Sequence, residues 1–275
     1  MYKRQIRNSI IWNQLISICE EQANVLLKVA FGALVREAGD ISAGIFNNKG
    51  KMLAQAVTGT PGHVNTMAEA VPKFLKEIAP ENLSKGDALI TNDPWIGAGH
   101  IFDFVVVSPI FFKNKIIGYF ASTCHVVDVG GIGWSAEGKS FFEEGILIPV
   151  SFLRKKKSIN ESLLKIITAN SRVPNEARGD VLSLMSCNDA GINRLIDLLK
   201  ENSLTNLSET SKFIFDQSRI SMKKIISELK KGIFKNKTQL DGYDTPINLE
   251  AELEITDKYL SLIHISEPTR LGMMS

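Results

Sequence analysis

Histidine is scarce in this chain, with four residues in 275. Cysteine is scarcer still: Cys19, Cys124 and Cys187 are odd in number, far apart and set in apolar surroundings. Such a set excludes a disulfide framework and reads as reduced thiols, which points to a cytoplasmic setting. An excess of one charge is missing as well. Lys plus Arg number 32 against 30 Asp plus Glu, a balance of +2, and so weak a field argues for neither nucleic acid nor an anionic membrane as partner. No long apolar run exists. The N-terminal MYKRQIRNSIIWNQLISICEEQ is interrupted by Asn13, Gln14 and Glu20, so neither a signal peptide nor a membrane span fits. The sequons at Asn82, Asn160, Asn206 and Asn236 carry no meaning without secretion.

What is present is globular material, 44% hydrophobic and 23% charged, long enough to bury a core in one large domain or two smaller ones. Apolar residues at helical spacing from Ile10 to Val35 predict one long amphipathic helix ending near Gly39. Two short apolar runs around Asn47-Asn48-Lys49-Gly50 predict a β-hairpin. A helix is expected from Val64 to Ile78, with Pro72 as a kink or break. Strands follow at Asp87–Thr91, Phe102–Phe112 and Ile116–Val127, the last two joined by Lys113-Asn114-Lys115 in a hairpin. Beyond Pro149, helical patterns cover Leu163–Ala169, Val181–Leu199 and Leu207–Ile233, and Arg154-Lys155-Lys156-Lys157 reads as a solvated loop. Leu249–Ile255 is a last strand candidate with no visible partner.

The fold class is therefore α/β (α+β): a mixed helix and hairpin region over residues 1–150, a helical segment over 151–240, and the start of a further region over 241–261. Residues 262–275 fit neither period, resemble translated adaptor sequence and are expected to be a non-native tail. His264 lies there and is left out of every site argument.

Two of the remaining histidines stand in a repeated spacing, His100-Ile-Phe-Asp103 and His125-Val-Val-Asp128. A hairpin turning about Asn114 sets Asp103 opposite His125 and His100 opposite Asp128, with opposed Cβ atoms about 5 Å apart. Imidazole and carboxylate together suit zinc, manganese or iron. Residues three apart on a regular strand face opposite sides, so the strand end must be irregular, which Gly97-Ala98-Gly99 and Gly130-Gly131 permit. Asp40, at the helix-to-hairpin junction, is placed to add an oxygen. His63, in a Pro-Gly-His-Val turn, is placed to hydrogen-bond a substrate. The plain structural reading, in which both histidines are satisfied by nearby backbone and the aspartates cap loops, stays open at this point.

A different chemistry is spelled by Gly133-Trp-Ser-Ala-Glu-Gly138-Lys139-Ser140, which matches G-x-x-x-x-G-K-[ST] letter for letter. A phosphate loop must open a helix, yet Gly145 and Pro149 follow almost at once. A P-loop nucleotidase, or a non-catalytic interaction subunit, remains the alternative of another class.

Across these residues the chain resembles the hydantoinase B/oxoprolinase family, from about Trp12 to Glu252. The blocks that carry the resemblance are Glu20-Glu21, Arg36 through Asp40-Ile-Ser, Gly50-Lys-Met-Leu-Ala-Gln55, Gly62-His63, Asn92-Asp93-Pro94, Gly97 through Asp103, His125 with Asp128-Val-Gly-Gly131, Glu143-Glu-Gly145, and Asn170-Ser-Arg172-Val-Pro174 leading to Arg178-Gly-Asp180. The resemblance implies a subunit that binds one divalent metal and works beside a hydantoinase A-like subunit, which binds ATP in its place. It implies Asp40, His100, Asp103 and His125 as metal ligands, with catalytic parts for His63 and for Asp128, the latter as a ligand or outer anchor. The activity it implies is ATP-linked hydrolysis of a cyclic amide such as a hydantoin or 5-oxoproline. ATP-dependent carboxylation of a ketone is the alternative within the family. Members are usually longer, so the chain reads as the N-terminal half of one.

Overall fold

The computed structural model describes residues 2–266 apart from Trp134, Ala136, Tyr243, Asp244 and Lys258. Residues 267–275, most of the expected tail, lie outside the described residues. The chain divides into two compact units, residues 1–213 and 214–275, where the sequence suggested boundaries near 150 and 240. With long helices and a large antiparallel sheet, the class is mixed α and β, as expected.

The first unit is built on a seven-stranded sheet in the order β2-β1-β5-β4-β3-β6-β7. Its strands are β1 (Ile41–Asn47), β2 (Met52–Gln55), β3 (Ala88–Thr91), β4 (Asp103–Phe112), β5 (Lys115–His125), β6 (Ser151–Lys155) and β7 (Ser158–Ile159). Helix α3 (Pro61–Glu77) covers one face: Met67, Ala70, Val71 and Phe74 pack on Phe46, Val105, Val107, Tyr119 and Ala121. Helices α1 (Tyr2–Val29) and α5 (Pro174–Glu201) are paired with each other and cover the other face, where Gly191 brings α5 down onto the Phe120 ring. With both faces covered, β4 and β5 read as continuous apolar runs although the sheet is antiparallel. A buried polar clasp joins the layers: Asn188 on α5 donates to the Val106 carbonyl (3.0 Å) and accepts from Gln22 of α1 (2.7 Å).

The central hairpin forms, but with a two-residue turn where the sequence suggested the three residues Lys113-Asn114-Lys115, and a register shift between Ile110 and Phe111 offsets the difference so that Asp103 still meets His125. Phe112 pairs with Lys115, and the two turn residues Lys113 and Asn114 both have positive φ (49° and 60°), the backbone that matches strand twist in a two-residue turn. The β1–β2 hairpin and a Pro72-containing α3 also form.

The structure corrects four further expectations. The first helix is two: α1 ends at Val29 and the short α2 (Ala33–Arg36) begins after a break at Phe31-Gly32. The periodicity runs across the break because both pieces bury the same kind of residue. The basic run is not a free loop, since Arg154 and Lys155 end β6, Arg154 forks onto Asp189 (2.6 and 2.7 Å), and only Lys156 and Lys157 make the turn to β7. The last long helix, α6 (Ser208–Glu228), stops five residues before Ile233. Ile226, Leu229 and Ile233 continue a helical spacing by coincidence, but Gly232 (φ 139°) starts a strand. Finally, Leu262–Ser266 is strand rather than patternless tail.

That strand belongs to the second unit, a three-stranded antiparallel sheet of β8 (Gly232–Leu240), β9 (Ile247–Ile255) and β10 (Leu260–Ser266) in the order β10-β9-β8. Its register puts Phe234, Leu253 and Leu262 in one row and Lys235 opposite Glu252 on the other face, where the two pair at 2.7 Å. The partners of β9 were invisible in sequence because β8 alternates lysine with polar residues and lacks an apolar run.

Gly118 tests the sheet's tightness. It lies between β1 and β4, and a Cβ there would stand 2.3 Å from the Phe46 carbonyl oxygen, a backbone atom that cannot rotate away. Gly118→Ala is expected to destabilise the first unit by about 1–3 kcal/mol or more, read as a lowered urea midpoint; an unchanged midpoint would contradict the packing.

Candidate metal centre

The hairpin register sets Asp103, the first residue of β4, opposite His125, the last of β5. Both share a sheet face with Val105 and Ala121, the face covered by α3. Pro61 occupies the first turn of α3, where its missing N–H costs nothing, and two residues on His63 reaches the same point. Its Nε2 lies 3.0 Å from Asp103 Oδ2.

His100 arrives from the connection before β4. Gly99 takes φ 109° and the Asp103 amide donates to the His100 carbonyl (3.2 Å), a tight turn that brings residues three apart onto one side. His100 Nε2 is 3.4 Å from Asp103 Oδ2, and His125 Nδ1 is 3.4 Å from Asp103 Oδ1. One ligand atom from each of His100, Asp103 and His125 falls within 4.8 Å of the others. Asp40 closes the other side. Its carbonyl accepts from the His125 amide (3.3 Å), and its carboxylate lies 3.6 Å from His63 Nδ1 and 3.9 Å from His125 Nδ1 while accepting from Thr60 Oγ1 (2.8 Å). Phe102 stacks on the His125 ring, centroids 5.3 Å apart and planes 3° off parallel, which fixes the imidazole plane.

Burial divides this cluster. Asp103 and His125 are 1% exposed, while the His100 side chain is 43% exposed and marks the open side. Both Asp103 oxygens are shut off from water and accept no hydrogen bond of ordinary geometry. Three imidazole nitrogens lie within 3.4 Å of them. A buried carboxylate ringed by imidazoles rather than by committed donors is the donor set of a divalent cation site of the zinc, manganese or iron kind, so the residues fit such an ion.

The electrostatics agree. Burial would push the Asp103 carboxyl up, but His125, His63 and His100 together hold it below the usual carboxylate range. Burial pulls His63 down, yet Asp103 and Asp40 outweigh it and raise this imidazole. His100 is lowered, chiefly by burial and then by the two neighbouring imidazoles.

Asp128 stands elsewhere. The ladder ends at Asp103 and His125, so His100 and Asp128 do not pair as the extrapolated register suggests. Asp128 instead accepts from the Arg172 side chain and backbone, from Ser171 Oγ (3.3 Å) and from the Gly130 amide (3.2 Å). Arg172 holds its carboxyl down at about 2. The aspartate thus ties the loop after β5 to the connection between α4 (Glu161–Ala169) and α5. His63, by contrast, lies deeper in the cluster than its turn-like setting suggests. Its signal in sequence is Pro61-Gly62 opening a helix, but which sheet face that helix covers is not written locally.

The competing phosphate-loop reading loses its helix, since Ser140 is followed by a single 3-10 turn, Phe141–Glu143. Cys19, Cys124 and Cys187 are buried and free. Among the described residues no helix is long and apolar enough to cross a membrane.

Comparison with known proteins converges on one family. The hydantoinase B/oxoprolinase family model matches residues 4–265. A Methanocaldococcus jannaschii protein is 30% identical, over 91% of this chain and 45% of its own length. The 5-oxoprolinase PfmaA of Pestalotiopsis fici is 27% identical over 88% of this chain and 20% of its own. A 5-oxoprolinase of Arabidopsis thaliana is 25% identical over 94% and 21%. In fold, the chain is similar to the ATP-dependent caprolactamase of Pseudomonas jessenii (TM-score 0.84, 20% identity, 95% of this chain and 46% of that one). It is also similar to a nucleotide-free acetone carboxylase (TM-score 0.82, 17% identity, 94% and 36%). The chain spans less than half the length of these relatives. The match over nearly its whole length makes this chain a member of the hydantoinase B/oxoprolinase family.

Proposed function

We propose that this chain carries the metal centre of an ATP-linked hydrolase that opens a cyclic amide, a hydantoin or 5-oxoproline type of ring, acting with a hydantoinase A-like partner that binds the ATP. The observation that carries the reading is the buried Asp103 carboxylate ringed by His63, His100 and His125, in a chain related to 5-oxoprolinases. Asp103, His100 and His125 would hold the ion, with the Asp40 carboxylate beside His125 as a further oxygen donor. When bound, a divalent cation supplies Lewis acidity toward a carbonyl and lowers the pKa of water.

The chain's own residues do the rest. His63 lies between the two carboxylates, its Nε2 3.0 Å from Asp103 and its Nδ1 3.6 Å from Asp40, and their charge favours its protonated form. His100 faces the open side, where a substrate carbonyl would enter. Asp128 anchors the neighbouring loop through Arg172 rather than touching the cluster. Carboxylation of a ketone is the second reading, favoured by the fold shared with the acetone carboxylase; there the same site would hold a carboxylate or enolate and exclude water.

Three outcomes test this. Metal analysis of the purified protein should find close to one zinc, manganese or iron per chain, lost in His100→Ala and in Asp103→Ala but kept in Asp128→Asn; a metal-free wild type sinks the proposal. A ligating imidazole must be neutral, so protons compete; burial holds His100 below the ordinary imidazole value of about 6.5, and bound metal should be lost as the pH falls below that value. Asp103, already held below the ordinary carboxylate range, stays ionised through that window, so loss tracking a carboxylate instead of histidine would count against the ligand set. Ring opening, followed by product formation, should require both ATP and the partner, and nucleotide binding by this chain that Lys139→Ala abolishes would favour the phosphate-loop alternative.

A further inference from the structure

Asp180 lies on α5, wholly buried and not among the side chains gathered at Asp103. Its Oδ1 accepts from the Phe31 amide (2.7 Å) and the Gly32 amide (3.0 Å). Those are the amides left over where α1 stops and the chain swings into α2, and buried amides without an acceptor are costly. A second group on α5 lies at the junction, for the Ser183 hydroxyl is 3.0 Å from the Val29 carbonyl and shares its one proton with the Gly179 carbonyl at 2.7 Å. Packing is equally tight. A Cβ on Gly32 would stand 2.6 Å from Asp180 Oδ2, and one on Gly179 would stand 2.2 Å from the Phe31 ring.

From this break the path to the metal centre is short. The Asp40 amide donates to the Leu34 carbonyl in α2 (3.2 Å), and the Asp40 carbonyl accepts from His125 (3.3 Å). Were the helix continuous through residues 30–32, each following residue would advance about 1.5 Å along the axis of α1. Asp40 would then be carried past the end of β5 instead of being folded back against it.

We infer that Asp180 is a positioning residue for the metal centre, holding the α1–α2 break that delivers Asp40 to His63 and His125. This rests on the reading of Asp40 as part of that centre. Asp180 Oδ2 is buried and accepts no hydrogen bond, and burial pushes the carboxyl up against the pull of the two amides. The group acts through one acceptor oxygen, so an amide in its place should serve.

The test is zinc titration by calorimetry of the folded wild type, Asp180→Asn, Asp180→Ala, Asp40→Ala and the Asp180→Ala/Asp40→Ala double variant. Asp180→Ala should weaken zinc by about tenfold or more, the scale of losing a group that orients a ligand, while Asp180→Asn stays near wild type. The double variant should bind no more weakly than Asp40→Ala, because both changes remove one contribution. Wild-type affinity in folded Asp180→Ala, or additive losses in the double variant, would overturn the inference. Should Asp180→Ala fail to fold by circular dichroism, Ser183→Ala loosens the same junction from its other bond; weakened zinc supports the inference and unchanged zinc overturns it. A wild type that binds no zinc, manganese or iron removes the metal centre itself, whereas wild-type binding with an indifferent Asp180 removes only the positioning.

Discussion

An ionised carboxylate taken out of water must be compensated where it sits, and the Asp103 carboxylate is the group around which this first unit is arranged. The desolvation of such an ion costs several kcal/mol even after the protein relaxes. Among the described residues no lysine or arginine pairs with it; three imidazoles do, at 3.0 to 3.4 Å. A neutral imidazole can offer a lone pair to a cation, which arginine cannot, so the carboxylate is surrounded by groups that are also able to ligate. The same choice makes the centre sensitive to protons and leaves the carboxylate oxygens facing nitrogen atoms rather than fixed N–H donors.

Bringing those groups together uses every layer of the fold. The sheet supplies Asp103 and His125 by register, the turn before β4 supplies His100, and the first turn of α3 supplies His63. The α1–α2 break folds Asp40 against the end of β5. Strand ends fixed by a ten-residue ladder are stiff supports, and the buried Gln22 and Asn188 side chains lock the α1 and α5 layer onto that ladder. Rigid support matters for a metal centre, because ligands that drift by a fraction of an ångström lose affinity.

Much of the hairpin was legible in the sequence. Two β-branched and aromatic runs around Lys113-Asn114-Lys115 announce the hairpin, but its two-residue turn alone would set Asp103 against Cys124, and the register shift between Ile110 and Phe111 is what sets it against His125. The extrapolation failed one step further. Beyond Asp103 and His125 the glycines at 99, 130 and 131 take positive φ and release the chain from the ladder, so His100 reaches the cluster by a turn while Asp128 leaves it for Arg172. The glycines announced irregularity without saying which way each segment would go. Helical spacing misled in a similar manner across Phe31-Gly32 and again at Ile233, since periodicity reports which residues are buried and is blind to a change of axis or to a strand that begins in phase.

The amino-acid order alone therefore determined the elements whose causes are local: the central hairpin, the two H-x-x-D segments within a resemblance to the hydantoinase B/oxoprolinase family, and the lack of charge or apolar runs for nucleic acid or membrane. Tertiary structure decided whatever depends on which surface docks on which. His63 joins the cluster because α3 covers the sheet face that bears Asp103, and Asp40 joins it because two backbone amides find a carboxylate on α5, 148 residues or more away in the chain. Contacts of that span are chosen by the burial of whole faces rather than by neighbours in sequence, so no local pattern could have contained them.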